Sequence, residues 1–323
     1  MELFRFKNSY DFMGKSKIFL SLSLTLMVSS LLLLWTKGLN FGIDFAGGTL
    51  IQVKYQDKAP ISAIREAVSQ HELFQGASIT EFGSPDEIVI RIKKSSGELK
   101  KDIGDEVAEI LRGTGEFQIR RVDMVGAKVG GELREKGITA LILVVISILI
   151  YLSFRFEWRF ALASIFALIH DVTIALGAIS LFEIEVNLDT LAAILTILGY
   201  SLNDTIIVFD RIREGLVKFK NISLAHIINE SVSRTLSRTT LTSLTTFFVV
   251  FTLFLFGGEI IHGFSFTLLV GIVVGTYSSI FIASPTLIWF RFSVEKYRKM
   301  LAEKEKRERE KERMREMYEK GVL

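Results

Sequence analysis

Six long apolar stretches, nearly free of charged residues, constrain the fold of this chain more than any other feature. They cover about residues 18–35, 138–154, 160–182, 188–209, 239–256 and 264–290. Each is near or above the roughly 20 residues that a helix needs to cross a bilayer. The first is too long for the apolar region of a signal peptide, and no Ala-x-Ala-like cleavage site follows it, so we interpret it as a retained anchor. The sequence therefore predicts an α-helical polytopic membrane protein with six transmembrane helices.

Lys and Arg residues in the short connections indicate how these helices are oriented. Basic residues precede the first stretch, lie between the second and third (Arg155 and Arg159) and crowd between the fourth and fifth, whereas the two remaining short connections contain none. Short loops rich in Lys and Arg stay in the cytoplasm. The pattern predicts a multi-pass protein of the cytoplasmic (inner) membrane, with both termini cytoplasmic and the long segment after the first helix on the outer face.

That long segment, at 37–130, has the pattern of a small soluble domain. Strands are predicted at 49–55, 77–82, 87–92 and 115–122, helices at 60–73 and 98–111, and a turn at 83–86. The order β-α-β-β-α-β is that of the ferredoxin-like split motif, so we expect a small α+β extracytoplasmic domain between helices one and two. The predicted organisation is an N-terminus (1–17), a first helix (18–36), this domain (37–130), a five-helix bundle (131–292) and a charged tail (293–323).

The segment at 41–48 connects the first helix to this domain. Phe41, Ile43 and Phe45 alternate with other residues, which gives one apolar face. The residues alone favour a strand that leaves the membrane and is followed by glycines for a turn.

Composition excludes several classes of function. The chain has no cysteine, so it forms neither a disulfide framework nor a thiolate metal site, and its four histidines are scattered. A net charge of +3 is too small to favour a nucleic-acid partner. Since no nucleophile motif or phosphate-binding loop is evident, we expect no enzyme activity, no cofactor and no metal.

Asp204 is the most unexpected residue in the chain, because it lies with Asn203 inside the fourth apolar stretch. A carboxylate near the middle of a membrane helix costs roughly 2.5–3.5 kcal/mol on insertion scales, and such residues are functional by default. Asp204 lies about one and a half turns inside the charged edge at Asp210. Arg238 opens the fifth stretch from the same side, so the two are expected at a similar depth. A proton relay, a static ion pair and an Arg238 that reaches lipid headgroups are all compatible with this pattern.

Asp171 is a second intramembrane carboxylate, near the middle of the third stretch, with His170 beside it. Neighbours on a helix point about 100° apart, so we expect that these two do not both face one partner. Asp171 either orients a polar residue across the bundle or forms a step of a proton path. Asn203 either donates to one of the carboxylates or satisfies helix contacts.

Two further patterns concern packing and the tail. Gly271, Gly275, Ser279 and Ala283 recur every four residues on the sixth stretch, which predicts a face of close helix approach. Residues 295–320 contain eleven basic and eight acidic residues, which predicts a solvated helix with many i,i+4 pairs and a slight positive excess towards anionic membrane lipid.

Five motifs, in order along the chain, resemble the SecD/SecF family of protein-export membrane subunits. They are the segments 41–48, 126–133, 167–171, 199–214 and 237–243. The short outer domain and the Gly-Tyr-Ser-Leu-Asn-Asp-Thr form of the fourth motif are closer to the SecF branch than to the SecD branch. The resemblance marks Gly42, Asp44, Gly47 and Gly48 as the family motif on the outer side. One departure is Ala127, where the family pattern has Pro.

The resemblance implies one half of an RND-type transporter. The half would pair with SecD into a twelve-helix unit beside the SecYEG translocon, with a YajC-like subunit as a further partner, and would use the proton gradient to pull unfolded exported polypeptide outward. Asp204, Arg238 and Asp171 would then form the relay, supported by Asn203 and His170, because the functional Arg of the family falls at Arg238. No cofactor is implied.

Two alternatives stay open beside this interpretation. A non-conducting scaffold subunit that stabilises the translocon fits the same six helices, because they form only half of a relay. Half of an RND exporter for lipids or small molecules is disfavoured, because an outer unit of roughly 90 residues leaves little room for a substrate tunnel. A carboxylate with polar neighbours suits either H⁺ or Na⁺.

Overall fold

The computed structural model describes residues 9–71, 74, 76–92, 103–219 and 222–319. Within this part of the chain, six helices are long and apolar enough to cross a membrane. They are α1 (Phe12–Thr36), α5 (Ala127–Arg155), α6 (Trp158–Leu181), α7 (Leu188–Lys218), α8 (Leu224–Phe256) and a sixth span, Gly258–Trp289. The last consists of α9 (Gly258–Ser278), a π-helical turn (Ser279–Ala283) and α10 (Ser284–Trp289). The prediction of a six-span helical membrane protein is confirmed.

Several spans continue well beyond the predicted apolar stretches at the end of the bundle that is rich in Lys and Arg, called here the basic end. There α7 runs on to Lys218, and α8 begins at Leu224 rather than near 239. The added turns are amphipathic, and their apolar side chains pack into one buried cluster with Phe160 and Phe209. The limits of the apolar stretches in the sequence therefore indicated which part of each helix is apolar, and they did not indicate where the helices end.

The outer domain has the predicted ferredoxin-like topology. Its strands are β2 (Gly48–Tyr55), β3 (Ser78–Phe82), β4 (Ser84–Ile92) and β5 (Phe117–Val125), and its helices are α3 (Ile61–Ser69) and α4 (Ile103–Leu111). The strand order is β3-β4-β2-β5, with every neighbouring pair antiparallel. Apolar residues of α3 and α4 pack with those on one face of the sheet. The start of the predicted helix 98–111 lies outside the described residues.

The hairpin and the last strand of this domain differ from the prediction in their limits. The turn predicted at 83–86 is tighter, because Gly83 has φ of +73° and β4 begins at once with Ser84. The strand predicted at 115–122 ends at Val125, because pairing with β2 continues to Gly48 opposite Val125.

The strand predicted for 41–48 is wrong for most of its length. Only Asn40–Phe41 (β1) is extended, and it pairs in parallel with Glu185–Val186 (β6), while Ile43–Ala46 forms a helical turn (α2). The turn buries Phe45 against α5 and α7, whereas Phe41 stays exposed. Alternation over so few residues did not distinguish a strand from one turn of helix.

The close helix approach predicted along the small residues of the sixth span is observed for only part of that span. A Cβ at Gly271 would lie 2.1 Å from Ile197, and one at Gly275 would lie 2.9 Å from Ser201, so α9 approaches α7 closely as predicted. The π-helical turn then interrupts the four-residue repeat. Ala283 packs instead into the buried cluster at the basic end.

The charged tail forms the predicted exposed helix, α11 (Val294–Glu319). Its first turns are attached to the bundle, because the guanidinium of Arg298 donates to the carbonyl oxygens of Leu216 (2.7 Å) and Phe219. Arg309 and Glu305 form an i,i+4 ion pair farther along.

Candidate functional site

Asp171 lies fully buried at the centre of the bundle and accepts hydrogen bonds from three helices. On α6, Nδ1 of its neighbour His170 lies 2.9 Å from Oδ1. Ser201 of α7 donates to Oδ2 at 2.5 Å, and Ser278 of α9 donates to the same oxygen at 2.8 Å. Both carboxylate oxygens of Asp171 thus have donors, which is how a buried charge is normally satisfied.

His170 and Asp171 contact adjacent but different residues of α9, so they do not share one partner residue. The imidazole of His170 stacks on Tyr277, with ring centroids 6.2 Å apart, while Asp171 bonds Ser278. The Tyr277 hydroxyl donates to the carbonyl of Phe19 on α1 at 2.6 Å, so this network links three helices around α6.

Asp204 lies one turn further along α7 than Ser201 and is also fully buried. Its Oδ2 accepts a hydrogen bond from Ser243 of α8 at 3.1 Å, and Ser243 in turn accepts one from Thr276 of α9 at 2.7 Å. Its Oδ1 is buried without a hydrogen-bond partner among the residues that the structure describes. Asp204 is therefore the less satisfied of the two carboxylates.

Arg238 does not form the expected contact with Asp204 in this chain. Asp204 contacts Ser243, which lies five residues after Arg238 on α8 and hence about 7.5 Å farther from the basic end. The side chain of Arg238 is exposed on the outside of the bundle. The depth estimate placed both residues in the same half of the membrane, but the direction of Arg238 around α8 was not determined by depth.

Asn203 also points away from the carboxylates. It is exposed on α7, and the described hydrogen bonds of Asp204 and Asp171 come from other residues. The donors that do serve the carboxylates, Ser201, Ser243 and Ser278, were not predicted. Ser and Thr are frequent throughout these spans and often bond their own helix backbone, so composition did not single these three out.

The outer family motif forms the joint between the outer domain and the bundle. Gly47 has φ of +74°, and a Cβ there would lie 2.6 Å from the Cα of Ala127, at the start of α5. A Cβ at Gly130 would in turn lie 2.8 Å from the backbone nitrogen of Gly47. Backbone therefore packs directly on backbone, and Gly48 continues from there into β2.

A second set of contacts ties the same joint to α7. Oδ2 of Asp44 accepts a hydrogen bond from the backbone N–H of Leu188, the first residue of α7, at 3.0 Å. Arg91 of the sheet pairs with Glu185 of β6. A Cβ at Gly42 would lie 2.5 Å from Oε1 of Glu185, so glycine leaves room for this carboxylate. The outer domain is thus attached directly to the helix that contains Asp204.

Other described side chains do not form a metal centre. Within the residues that the structure describes, no group of three or more His, Asp or Glu side chains is arranged to hold a metal ion.

Comparison with known proteins identifies the family. The family described as "Protein export membrane protein SecD/SecF, C-terminal" matches residues 106–293, and the "SecD/SecF GG Motif" matches residues 32–59, which include Gly47 and Gly48. The chain is 47% identical over 323 residues to the protein translocase subunit SecF of Helicobacter pylori strain 26695, covering 100% of both chains. It is 44% identical to SecF of Vibrio alginolyticus, covering 88% of this chain and 90% of that one.

The fold is similar to a solved structure as well. The crystal structure of SecDF, a translocon-associated membrane protein from Thermus thermophilus, superimposes with a TM-score of 0.81 at 33% identity. The match covers 89% of this chain but only 39% of the other, which is much longer. With motifs, full-length identity and fold in agreement, the chain belongs to the SecD/SecF family of protein-export membrane proteins, in its SecF branch.

Proposed function

We propose that this chain, paired with a SecD subunit, uses the proton-motive force to promote export of unfolded polypeptides across the cytoplasmic membrane. The observation that carries the proposal is the buried Oδ1 of Asp204, which has no hydrogen-bond partner among the described residues. A carboxylate with one unsatisfied oxygen in a membrane helix favours binding of a cation there, and a proton is the simplest one.

Asp171 has a different role in this proposal. With donors on both oxygens it is held between α6, α7 and α9, so it fixes the geometry of the relay while Asp204 exchanges the proton. Ser201, which donates a hydrogen bond to Asp171, lies one turn from Asp204 on α7. A shift of α7 when Asp204 is protonated therefore also changes the contact between Ser201 and Asp171.

The SecD subunit is proposed to cover one exposed face of α7. That face consists of small or polar residues at helical spacing, Ala192, Thr196, Gly199 and Asn203, all exposed in this chain. Arg238 and Thr242 are exposed on the neighbouring α8. Polar groups facing lipid at this depth are costly, whereas small and polar residues are typical of helix–helix interfaces in membranes. Asn203 and Arg238, which point away from Asp204 within this chain, are therefore proposed to face the SecD subunit at this contact.

The joint between the outer domain and the bundle is proposed to transmit a movement of α7 to the outer domain. Asp44 and the pair Arg91–Glu185 fasten the outer domain to the start of α7, and Asp204 lies about 24 Å along the same helix at 1.5 Å per residue. A shift of α7 on protonation therefore moves the domain that is expected to face the exported chain.

The remaining assignments follow from the same proposal. Both termini are cytoplasmic, as the Lys and Arg pattern predicts, and the outer domain lies on the outer face. The SecYEG translocon, a YajC-like subunit, the exported polypeptide and membrane lipid are the proposed partners.

The test is ion flux in vesicles that contain this chain and its SecD partner, measured separately under H⁺ and Na⁺ gradients. Asp204→Asn keeps the shape of the side chain and removes the titrating group, so we expect normal assembly with loss of flux and of gradient-dependent export. Asp189→Asn, at the exposed start of α7, is the matched control and should behave as wild type.

Three outcomes separate the alternatives. Normal flux and export in Asp204→Asn would show that neither depends on Asp204 and would favour a scaffold role for this chain in the translocon. Flux of Na⁺ alone would keep the relay but change its ion. Gradient-driven movement of lipids or small molecules, without an effect on polypeptide export, would favour half of an RND exporter.

A further inference from the structure

The end of the sixth span has an unusual backbone. Arg291 has φ of +48°, in the left-handed region that glycine normally fills at the end of a helix. The ending is a Schellman-type turn, since the N–H of Phe292 donates to the carbonyl of Leu287 at 3.2 Å and that of Arg291 to Ile288 at 3.0 Å. Glycine would fit this position without strain, so the backbone conformation does not account for an arginine here. We therefore consider what the arginine side chain contacts.

The side chain of Arg291 is not used by the fold. It is exposed, and it has no hydrogen bond or ion pair with any residue in the described part of the chain. Other arginines at the same basic end are engaged: Arg155 donates to both oxygens of Asp210 at 3.0 Å, and Arg213 bonds the Tyr297 hydroxyl at 3.1 Å. Arg291 is therefore available to an outside partner.

A second arginine lies across the same corner. The rings of Phe292 and Phe160 are 5.2 Å apart, which places the end of α10 beside the start of α6. There Arg159 stacks on Trp158 at 5.0 Å and meets Glu157 at 3.3 Å, yet its buried Nε has no partner among the described residues. Burial raises the pKa of Glu157 against the opposing pull of Arg159, and its Oε2 is likewise buried without a partner among the described residues.

Exposed aromatic rings show the depth of this corner. Trp158 is 55% exposed and Trp289 is 60% exposed, on α6 and α10 respectively. Tryptophan is enriched where a membrane protein crosses the headgroup layer. Binding of a soluble anion would not require these exposed rings. A phospholipid places its phosphate and its glycerol region in the headgroup layer, beside such rings.

We propose that the corner between the start of α6 and the end of α10 binds the headgroup of an anionic phospholipid. Arg291 and Arg159 hold the phosphate through charge-assisted hydrogen bonds, and Trp158 and Trp289 border it on the membrane side. The site is independent of Asp204 and of ion flux.

The test measures phosphatidylglycerol and phosphatidylcholine retained by the purified chain in detergent, by native mass spectrometry. Arg291→Gly relieves the backbone strain, so it should raise the melting temperature while it lowers retained phosphatidylglycerol by roughly fivefold, the effect of one basic residue near an anionic surface. Arg159→Gln should lower it similarly, and Arg291→Lys should retain most of it. Arg234→Gln, an exposed arginine paired with Glu230, is the control.

Each other result overturns the proposal. Unchanged phosphatidylglycerol in both Arg291→Gly and Arg159→Gln would exclude the site. Equal retention of phosphatidylcholine would indicate a general lipid annulus. Displacement of the lipid by millimolar inorganic phosphate would indicate a site for a free anion instead.

Discussion

Ser201 donates a hydrogen bond of 2.5 Å to Asp171 from a position one turn before Asp204 on the same helix. Two intramembrane carboxylates with different partners are thereby joined through one turn of α7. Asp171 is held by donors from three helices, while Asp204 has one oxygen without a described partner. In the proposed relay, Asp171 is the fixed carboxylate and Asp204 is the one that exchanges the proton.

Removal of the Ser201 hydroxyl should destabilise the bundle without stopping ion flux. Ser201→Ala takes one donor from a buried carboxylate, and a hydrogen bond to a charged group is worth about 1.5–3 kcal/mol. Thermal unfolding of the purified chain in detergent measures the loss. Ser164→Ala is the control, because this buried serine bonds only the carbonyl of Phe160 in its own helix. Equal losses in both variants would show that Ser201 does not hold Asp171.

The glycine at the outer joint should be far less replaceable than a glycine of the same backbone conformation elsewhere. Gly47→Ala places a Cβ against the Ala127 backbone at φ of +74°, whereas Gly38 has φ of +72° and no atom from the described part of the chain within 4 Å of the added Cβ. A non-glycine residue at positive φ costs about 1–3 kcal/mol in either variant. Overpacking adds about 1–3 kcal/mol at Gly47 alone.

Melting temperatures of the two alanine variants test this difference. Gly47→Ala should unfold at a clearly lower temperature than Gly38→Ala and should support less export. Indistinguishable melting temperatures would mean that the joint accommodates the added methyl group. The close approach of Gly47 to Ala127 would then not contribute to stability.

A large side chain on the exposed face of α7 should separate the chain from its SecD partner. Gly199→Leu adds bulk where no atom of the described residues lies within 4 Å of a Cβ, so the fold should be unaffected. Overpacking of a helix contact weakens association by roughly tenfold or more. Co-purification with SecD provides the measurement, and Gly131→Leu, equally open on α5, is the control. Wild-type recovery of SecD with Gly199→Leu would place the interface elsewhere.

Asp11, the N-cap residue of α1, should contribute stability that is lost in acid. The backbone N–H of Gly14 and the amide of Asn229 hold the pKa of Asp11 below its usual value. A carboxyl whose pKa is depressed by folding stabilises the protein above its unfolded pKa, and the contribution is lost as the pH falls through the folded value.

Asp11→Ala should therefore melt earlier than the wild type at pH 7, and the gap should close as the pH falls below about 4. Scanning fluorimetry in detergent over this pH range measures the gap. A gap that stays constant down to pH 3 would show that Asp11 acts through packing rather than through its charge.

Sequence patterns were sufficient for the topology and for the depth of the charged residues. Six apolar stretches and the β-α-β-β-α-β order lead to the observed spans and sheet, because burial of whole segments dominates the free energy. The sequence also located Asp204 and Asp171 within membrane-spanning helices, where the structure has them.

Direction around a helix was the part that sequence did not determine. Arg238 and Asn203 both lie at plausible depths, yet both point outward, because the rotation of a helix depends on packing by its neighbours. The donors Ser201, Ser243 and Ser278 were missed because serine and threonine are frequent throughout these spans, so composition does not single them out. The prediction for the segment 41–48 was wrong for a different reason. Over so short a length, one helical turn and a short strand bury similar residues, so the pattern does not distinguish them.

The π-helical turn at Ser279–Ala283 contains one residue more per turn than an α-helix, so it offsets the halves of the sixth span by about 100°. The outer half presents Ser278 to Asp171, and the inner half is embedded in the cluster at the basic end. The offset therefore lets one continuous span present a polar face to the buried carboxylate of α6 and an apolar face to the cluster at the basic end.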